Sequence, residues 1–132
     1  MPNPSSHPLN LLLDTHVLLW WLGGNHRLGS RARQAIVSAD RVFVSVASVW
    51  ELSLKAARGN LQTPDDLEQQ LENSGFEVLD ATMRHAIAST RLPKHHRDPF
   101  DRMLVAQAKE ESLTLLTADE AQAKYGVAVI LL

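Results

Sequence analysis

The chain has 132 residues, 45% of them hydrophobic and 21% charged, with a formal net charge of -2. That is one domain's length, enough to bury a core without cross-links. The absence of Cys excludes a disulfide framework, a thiol nucleophile and a Cys-ligated zinc. The apolar run Val17–Leu22 falls far short of the ~20 residues of a membrane span. Met1–Pro8 is polar and Pro-rich where a secretory signal would be apolar. A cytoplasmic protein that does not enter the membrane is therefore expected.

Residues 1–8, with Pro2, Pro4 and Pro8, read as a flexible tail, and 9–132 as a single domain. Leu9–Leu13 reads as a buried strand ending at Asp14. Thr15–Leu22 follows as a helix closed by Gly23-Gly24. Ser30–Ala39 is a short helix and Val42–Ser45 a brief β-branched strand. Val46–Arg58 carries Val46, Val49, Trp50, Ser53, Leu54 and Ala57 at helical spacing and stops at Gly59. Thr63-Pro64-Asp65-Asp66 is a helix-start signal, with that helix running to Asn73. Phe76–Leu79 is a strand, Ala81–Thr90 a helix and Arg91–Arg97 a loop. Asp98-Pro99 opens a helix lasting to Ser112. Leu113–Leu116 is a strand, Thr117 to Glu120 starts a short helix, and Val127–Leu132 is the last strand. Strands alternating with helices imply an α/β fold: a central, mostly parallel sheet covered on both faces. Ligands in such sheets sit beyond the carboxyl ends of the strands.

Four acids fall there or close by. Asp14 ends the first strand, Asp119 lies three residues past Leu116, Glu51 is in the helix after Val42–Ser45, and Asp101 is in the first turn opened by Asp98. Each also has a local explanation. Asp14 or Thr15 could cap the first helix. Ser48-x-x-Glu51 and Thr117-x-x-Glu120 both fit a capping box, and Asp98 fits an N-cap with Asp101 favoured by the helix dipole. Capping does not account for Asp101 sharing an arc with Leu104, Val105 and Ala108. Four carboxylates in one cleft must hold protons or share a cation. With oxygen ligands and no thiol, that cation is Mg²⁺ or Mn²⁺, a site suited to phosphodiester hydrolysis. An aspartyl phosphatase would want Asp-x-Asp where the chain has Asp14-Thr15-His16. A phosphoreceiver would want a Lys near the last strand, and Tyr125–Leu132 has none.

Charge is uneven along the chain. Asn60–Asp80 holds six acids and no Lys or Arg, whereas Arg91–Arg102 holds Arg91, Lys94, Arg97 and Arg102 with His95 and His96. These are solvated faces, or the basic stretch lies beside an anionic ligand. Lys55, four residues after Glu51, is a surface ion pair or a phosphate contact. His16 packs or caps in preference to touching a ligand. Trp20 and Trp21 suggest core or a dimer surface.

The motifs resemble a known family. Leu11-Leu12-Leu13-Asp14-Thr15-His16-Val17-Leu18-Leu19-Trp20 looks like the opening of a PIN-domain ribonuclease. Ser48 to Lys55 resembles its second acidic motif, and His96 to Ala108, with Asp-Pro-Phe-Asp-Arg, its third. Leu115-Leu116-Thr117-Ala118-Asp119 resembles the fourth. The likeness spans Leu9 to Leu132, nearest to the VapC-like toxins of bacterial toxin–antitoxin pairs. It implies a three-layer α/β/α fold, a Mg²⁺-dependent endoribonuclease (Mn²⁺ able to substitute), an RNA substrate, a cognate antitoxin and a homodimer. Carried over by position, Asp14, Glu51, Asp101 and Asp119 form the acidic catalytic and metal site. Asp98 is cap or ligand, and Lys94, Arg97, Arg102 and Lys55 are candidate RNA contacts. The alternatives are a catalytically silent PIN-like interaction module and an RNA-processing PIN nuclease without an antitoxin.

Overall fold

A computed structural model describes residues 9–59, 66–95 and 98–132. The expected tail, the expected helix start at Thr63 to Asp65, and both His96 and Arg97 lie outside the described residues. The chain runs β1 (Asn10–Leu13), α1 (Thr15–Leu22), α2 (Ser30–Ser38), β2 (Arg41–Ser45), α3 (Val46–Ala57), α4 (Leu67–Asn73), β3 (Glu77–Leu79), α5 (Met83–Arg91), α6 (Pro99–Glu110), β4 (Thr114–Thr117), a 3-10 helix (Glu120–Tyr125) and β5 (Val129–Leu131).

All four strand pairings are parallel, in the order β3-β2-β1-β4-β5. The chain builds outward from β1 through β2 to β3, then crosses back to lay β4 on the other side of β1. The direction of winding reverses between β1 and β4, where Leu13 stands opposite Leu116. A reversal of this kind opens a crevice at the carboxyl ends of the two strands. Asp14 follows one strand and Thr117 ends the other.

The leucine run of β1 reflects burial on both faces. Side chains alternate along a strand, so Leu11 and Leu13 enter one hydrophobic cluster and Leu12 the other. The first cluster takes Val17 and Leu18 of α1, Ile36 of α2, Leu52 of α3 and Leu71 of α4. The second takes Leu104, Val105 and Ala108 of α6 with Leu92. All three β1 leucines are fully buried, each contributing about 1.5–3 kcal/mol of hydrophobic stabilisation. No helix among the described residues is long and apolar enough to cross a membrane.

Element boundaries follow the expected pattern with local corrections. Helix α5 begins at Met83 rather than Ala81, because Thr82 closes a capping box with His85. The Thr82 amide donates to His85 Nδ1 at 3.1 Å, and His85 Nε2 lies 2.9 Å from a Glu111 carboxylate oxygen. A ring nitrogen that accepts a hydrogen bond carries no proton, so Nε2 holds the proton and donates it. Arg91 is the last residue of α5, not loop. Helix α4 starts at Leu67, and Asp66 makes no side-chain cap. Trp21 belongs to the core side: its Nε1 donates to Ser74 Oγ at 3.1 Å and its ring packs against Phe76. His16 rests on Trp20 one helical turn away.

Candidate active site

The side chains at the β1/β4 crevice are held by hydroxyls. Thr117 Oγ1 donates to Asp14 Oδ2 at 2.7 Å and accepts from the Asp119 amide at 3.0 Å. One buried hydroxyl thus joins the acid after β1 to the acid after β4. A second tie runs from Thr15 Oγ1 to Ser48 Oγ, 2.8 Å apart and buried, linking the start of α1 to the first turn of α3. Glu51 follows Ser48 by three residues on that helix.

These ties correct three capping expectations. Asp14 occupies the N-cap position of α1 but makes no side-chain cap; its Oδ2 accepts from Thr117 instead. The cap of α3 is Ser45, whose Oγ accepts from the Ala47 amide, so the expected Ser48–Glu51 box does not form. Thr117 likewise does not cap: Asp119 caps the 3-10 helix through the Ala121 amide at 2.9 Å. The expectation for Asp98 agrees with the geometry. Its Oδ1 accepts from the amides of Phe100 and Asp101, with Pro99 opening the helix. Losing such a cap costs about 1 kcal/mol.

Asp14 and Glu51 are only 4% and 6% exposed. Asp14 Oδ1 and Glu51 Oε1 are both buried with no hydrogen-bond partner. A buried carboxylate oxygen without a partner is costly unless a proton or a cation meets it. Burial pushes the Asp14 carboxyl above its ordinary value. The Thr117 hydrogen bond, the charge of His16 and the nearby Thr15 amide pull it down, while the Asp119 charge pushes it up. The Glu51 Oε2 stands 3.1 Å from Lys55 Nζ, one turn away on α3. That makes Lys55 an ion-pair partner of a candidate site acid.

Asp101 and Asp119 are half-buried. Helices α3 and α6 meet where the Trp50 and Phe100 rings make an edge-to-face contact at 5.2 Å, so Glu51 and Asp101 each directly follow a residue of that contact. The four acids do not form one closed ligand shell. Among the described residues, no three carboxylate or imidazole groups are arranged to hold a metal ion. Of the four, Asp14 and Glu51 are the two whose buried carboxylate oxygens have no hydrogen-bond partner. Such a donor set still fits Mg²⁺, which keeps several of its waters and binds through one or two carboxylates.

The expected RNA-contact residues are not all alike. Lys94 is exposed, Arg97 lies outside the described residues, and Lys55 is paired with Glu51. Arg102 sends its guanidinium into backbone carbonyls. Residue-type reasoning missed Thr15, Ser48 and Thr117. The signal available was their position within the quoted acidic motifs, next to Asp14, three before Glu51 and two before Asp119.

A parallel α/β domain with acids at its switch point defines a class, and the chain belongs to the PIN domain family, whose pattern it matches over residues 11–128. It is 33% identical over 112 residues to Ribonuclease VapC22 of Mycobacterium tuberculosis (strain ATCC 25618 / H37Rv), spanning 83% of this chain and 86% of that protein. It also superposes on FitAcB from Neisseria gonorrhoeae with a TM-score of 0.67 at 25% identity, over 91% of this chain and 96% of that one. DNA-bound VapBC from Salmonella typhimurium shares the fold at a TM-score of 0.66 and 19% identity, over 92% and 97% of the two chains.

Proposed function

We propose that this chain is a metal-dependent endoribonuclease acting in the cytoplasm as the toxin of a toxin–antitoxin pair. The observation that carries the metal reading is the pair of buried, unpartnered oxygens on Asp14 and Glu51. The VapC22 and VapBC relatives support the ribonuclease activity and a cognate antitoxin. Mg²⁺, with Mn²⁺ as substitute, fits an all-oxygen donor set. When bound, such a cation supplies Lewis-acid polarisation of a phosphoryl oxygen and activation of water at neutral pH.

The chain's own residues do the rest. Asp14 and Glu51 would hold such an ion, and Asp101 and Asp119 would hold and orient its waters. Thr117 fixes the rotamer of Asp14 and the backbone of Asp119 together. Lys94 and Arg97 hold RNA phosphates. Lys55 pairs with Glu51 and neutralises part of the acidic charge.

The assay is cleavage of single-stranded or looped RNA. Activity is expected in Mg²⁺ or Mn²⁺ and its loss in EDTA; full activity in EDTA excludes this mechanism. The absence of any cleavage under all conditions favours a silent interaction module instead.

A second copy of this chain is proposed to dock on the α3–α6 face. Trp50 is 61% exposed there, beside an apolar hollow of about 380 Å³ lined by Val46, Phe100 and Met103. Sedimentation checks this reading: the parent runs as a dimer and Trp50→Ser as a monomer, whereas a monomeric parent rules it out.

A further inference from the structure

Arg102 lies in the basic stretch and, by charge alone, belongs with the phosphate contacts. Its geometry says otherwise. Nη2 donates to the carbonyls of Ser89 and Leu92, each at 2.8 Å, and Nη1 donates to the carbonyl of Pro93 at 3.0 Å. Ser89 is in the last turn of α5 and Leu92 is its C-cap. Carbonyls at a helix C-terminus lack intrahelical partners and carry the negative end of the dipole. The guanidinium meets both needs with one planar fork.

The backbone of the same residue closes the first turn of α6, its amide donating to the Asp98 carbonyl at 3.1 Å. The Arg102 side chain therefore ties the C-terminal end of α5, with Leu92 and Pro93, to the first turn of α6. Lys94 lies on that segment, and Asp101 is the preceding residue.

We propose that Arg102 is a positioning residue: its side chain clamps the C-terminal end of α5 and Pro93 to the first turn of α6 and so presets Lys94, rather than contacting RNA. This rests on the nuclease reading above. A phosphate contact and a clamp differ in how their loss depends on salt. Losing a contact reduces the counterions released, flattening the slope of log affinity against log salt by roughly 0.7 for a single strand. Losing preorganisation lowers affinity equally at all salt concentrations. They also differ toward lysine. A point charge can still hold a phosphate but cannot reproduce a fork across three carbonyls.

The test compares Arg102→Ala, Arg102→Lys and Lys94→Ala in an Asp14→Asn background, so that RNA persists. Binding to a single-stranded oligoribonucleotide is measured at several salt concentrations, and tryptic cleavage after Lys94 is timed without RNA in the two Arg102 variants. Both Arg102 variants should bind about tenfold more weakly at every salt concentration with the parent's slope. Tryptic cleavage after Lys94 should accelerate on the order of tenfold. Lys94→Ala should flatten the slope. A flattened slope in Arg102→Ala, or parental binding by Arg102→Lys, overturns the proposal. Should Arg102→Ala fail to fold, Arg102→Lys carries the test. Absence of RNA binding by the parent overturns the nuclease reading, whereas unchanged cleavage after Lys94 overturns the clamp alone.

Discussion

Asp14→Asn is expected to lower RNA cleavage by about a hundredfold or more, beyond the cost of disturbing a ligand's supporting partner, and yet to stabilise the metal-free protein at neutral pH. The amide keeps an acceptor for Thr117 and removes a buried charge. The sign follows from the raised folded-state pKa of Asp14, caused first by burial. From the ordinary carboxylate range up to that raised value, the folded state binds more protons than the unfolded state. Stability of the metal-free parent therefore falls as pH rises through that window, and the full penalty persists above it. Asn does not titrate, so its advantage is present at neutral pH and vanishes below the ordinary carboxylate range.

Magnesium reverses the order. A ligand at a hundredfold its Kd stabilises the parent by about 2.7 kcal/mol, and the variant lacks the site. Calorimetry at neutral pH, in EDTA and then in Mg²⁺, checks both signs. A variant less stable than the parent in EDTA would show that Asp14 is held as a structural charge.

Thr117→Val tests the joint between the two strand ends. Valine keeps the shape and removes a fully buried hydroxyl, leaving Asp14 Oδ2 without its donor and the Asp119 amide without its acceptor. Unsatisfied buried groups of this kind cost about 1–3 kcal/mol each. The hydrogen bond from Thr117 is the largest influence lowering the Asp14 pKa, so its loss raises that pKa further. Cleavage should fall about tenfold to a hundredfold, as for partners that orient metal ligands. Thr117→Ser should restore most of both. Urea unfolding and the cleavage rate are the measurements, and a Thr117→Val protein with parental activity would remove Thr117 from the site.

What was legible in the chain was whatever short-range chemistry decides. The Leu11-Leu12-Leu13 run marked a strand buried on both faces, and Asp98-Pro99 marked a helix start, because a cap and its amides lie within three residues of one another. The strand–helix alternation also set the parallel sheet, and with it the edge where Asp14 and Asp119 stand. Tertiary structure decided the remainder, where a side chain had a near and a far partner available. Ser48 satisfies a capping pattern on paper, but its hydroxyl bonds Thr15, 33 residues away. Thr117 reaches Asp14 across 103 residues. Arg102 could not be told from Lys94 by charge, since only the fold brings the carbonyls of α5 within reach of its guanidinium. Local patterns report which bonds a residue can make. Which bond it does make depends on burial, because a polar group removed from water takes the partner that packing places beside it.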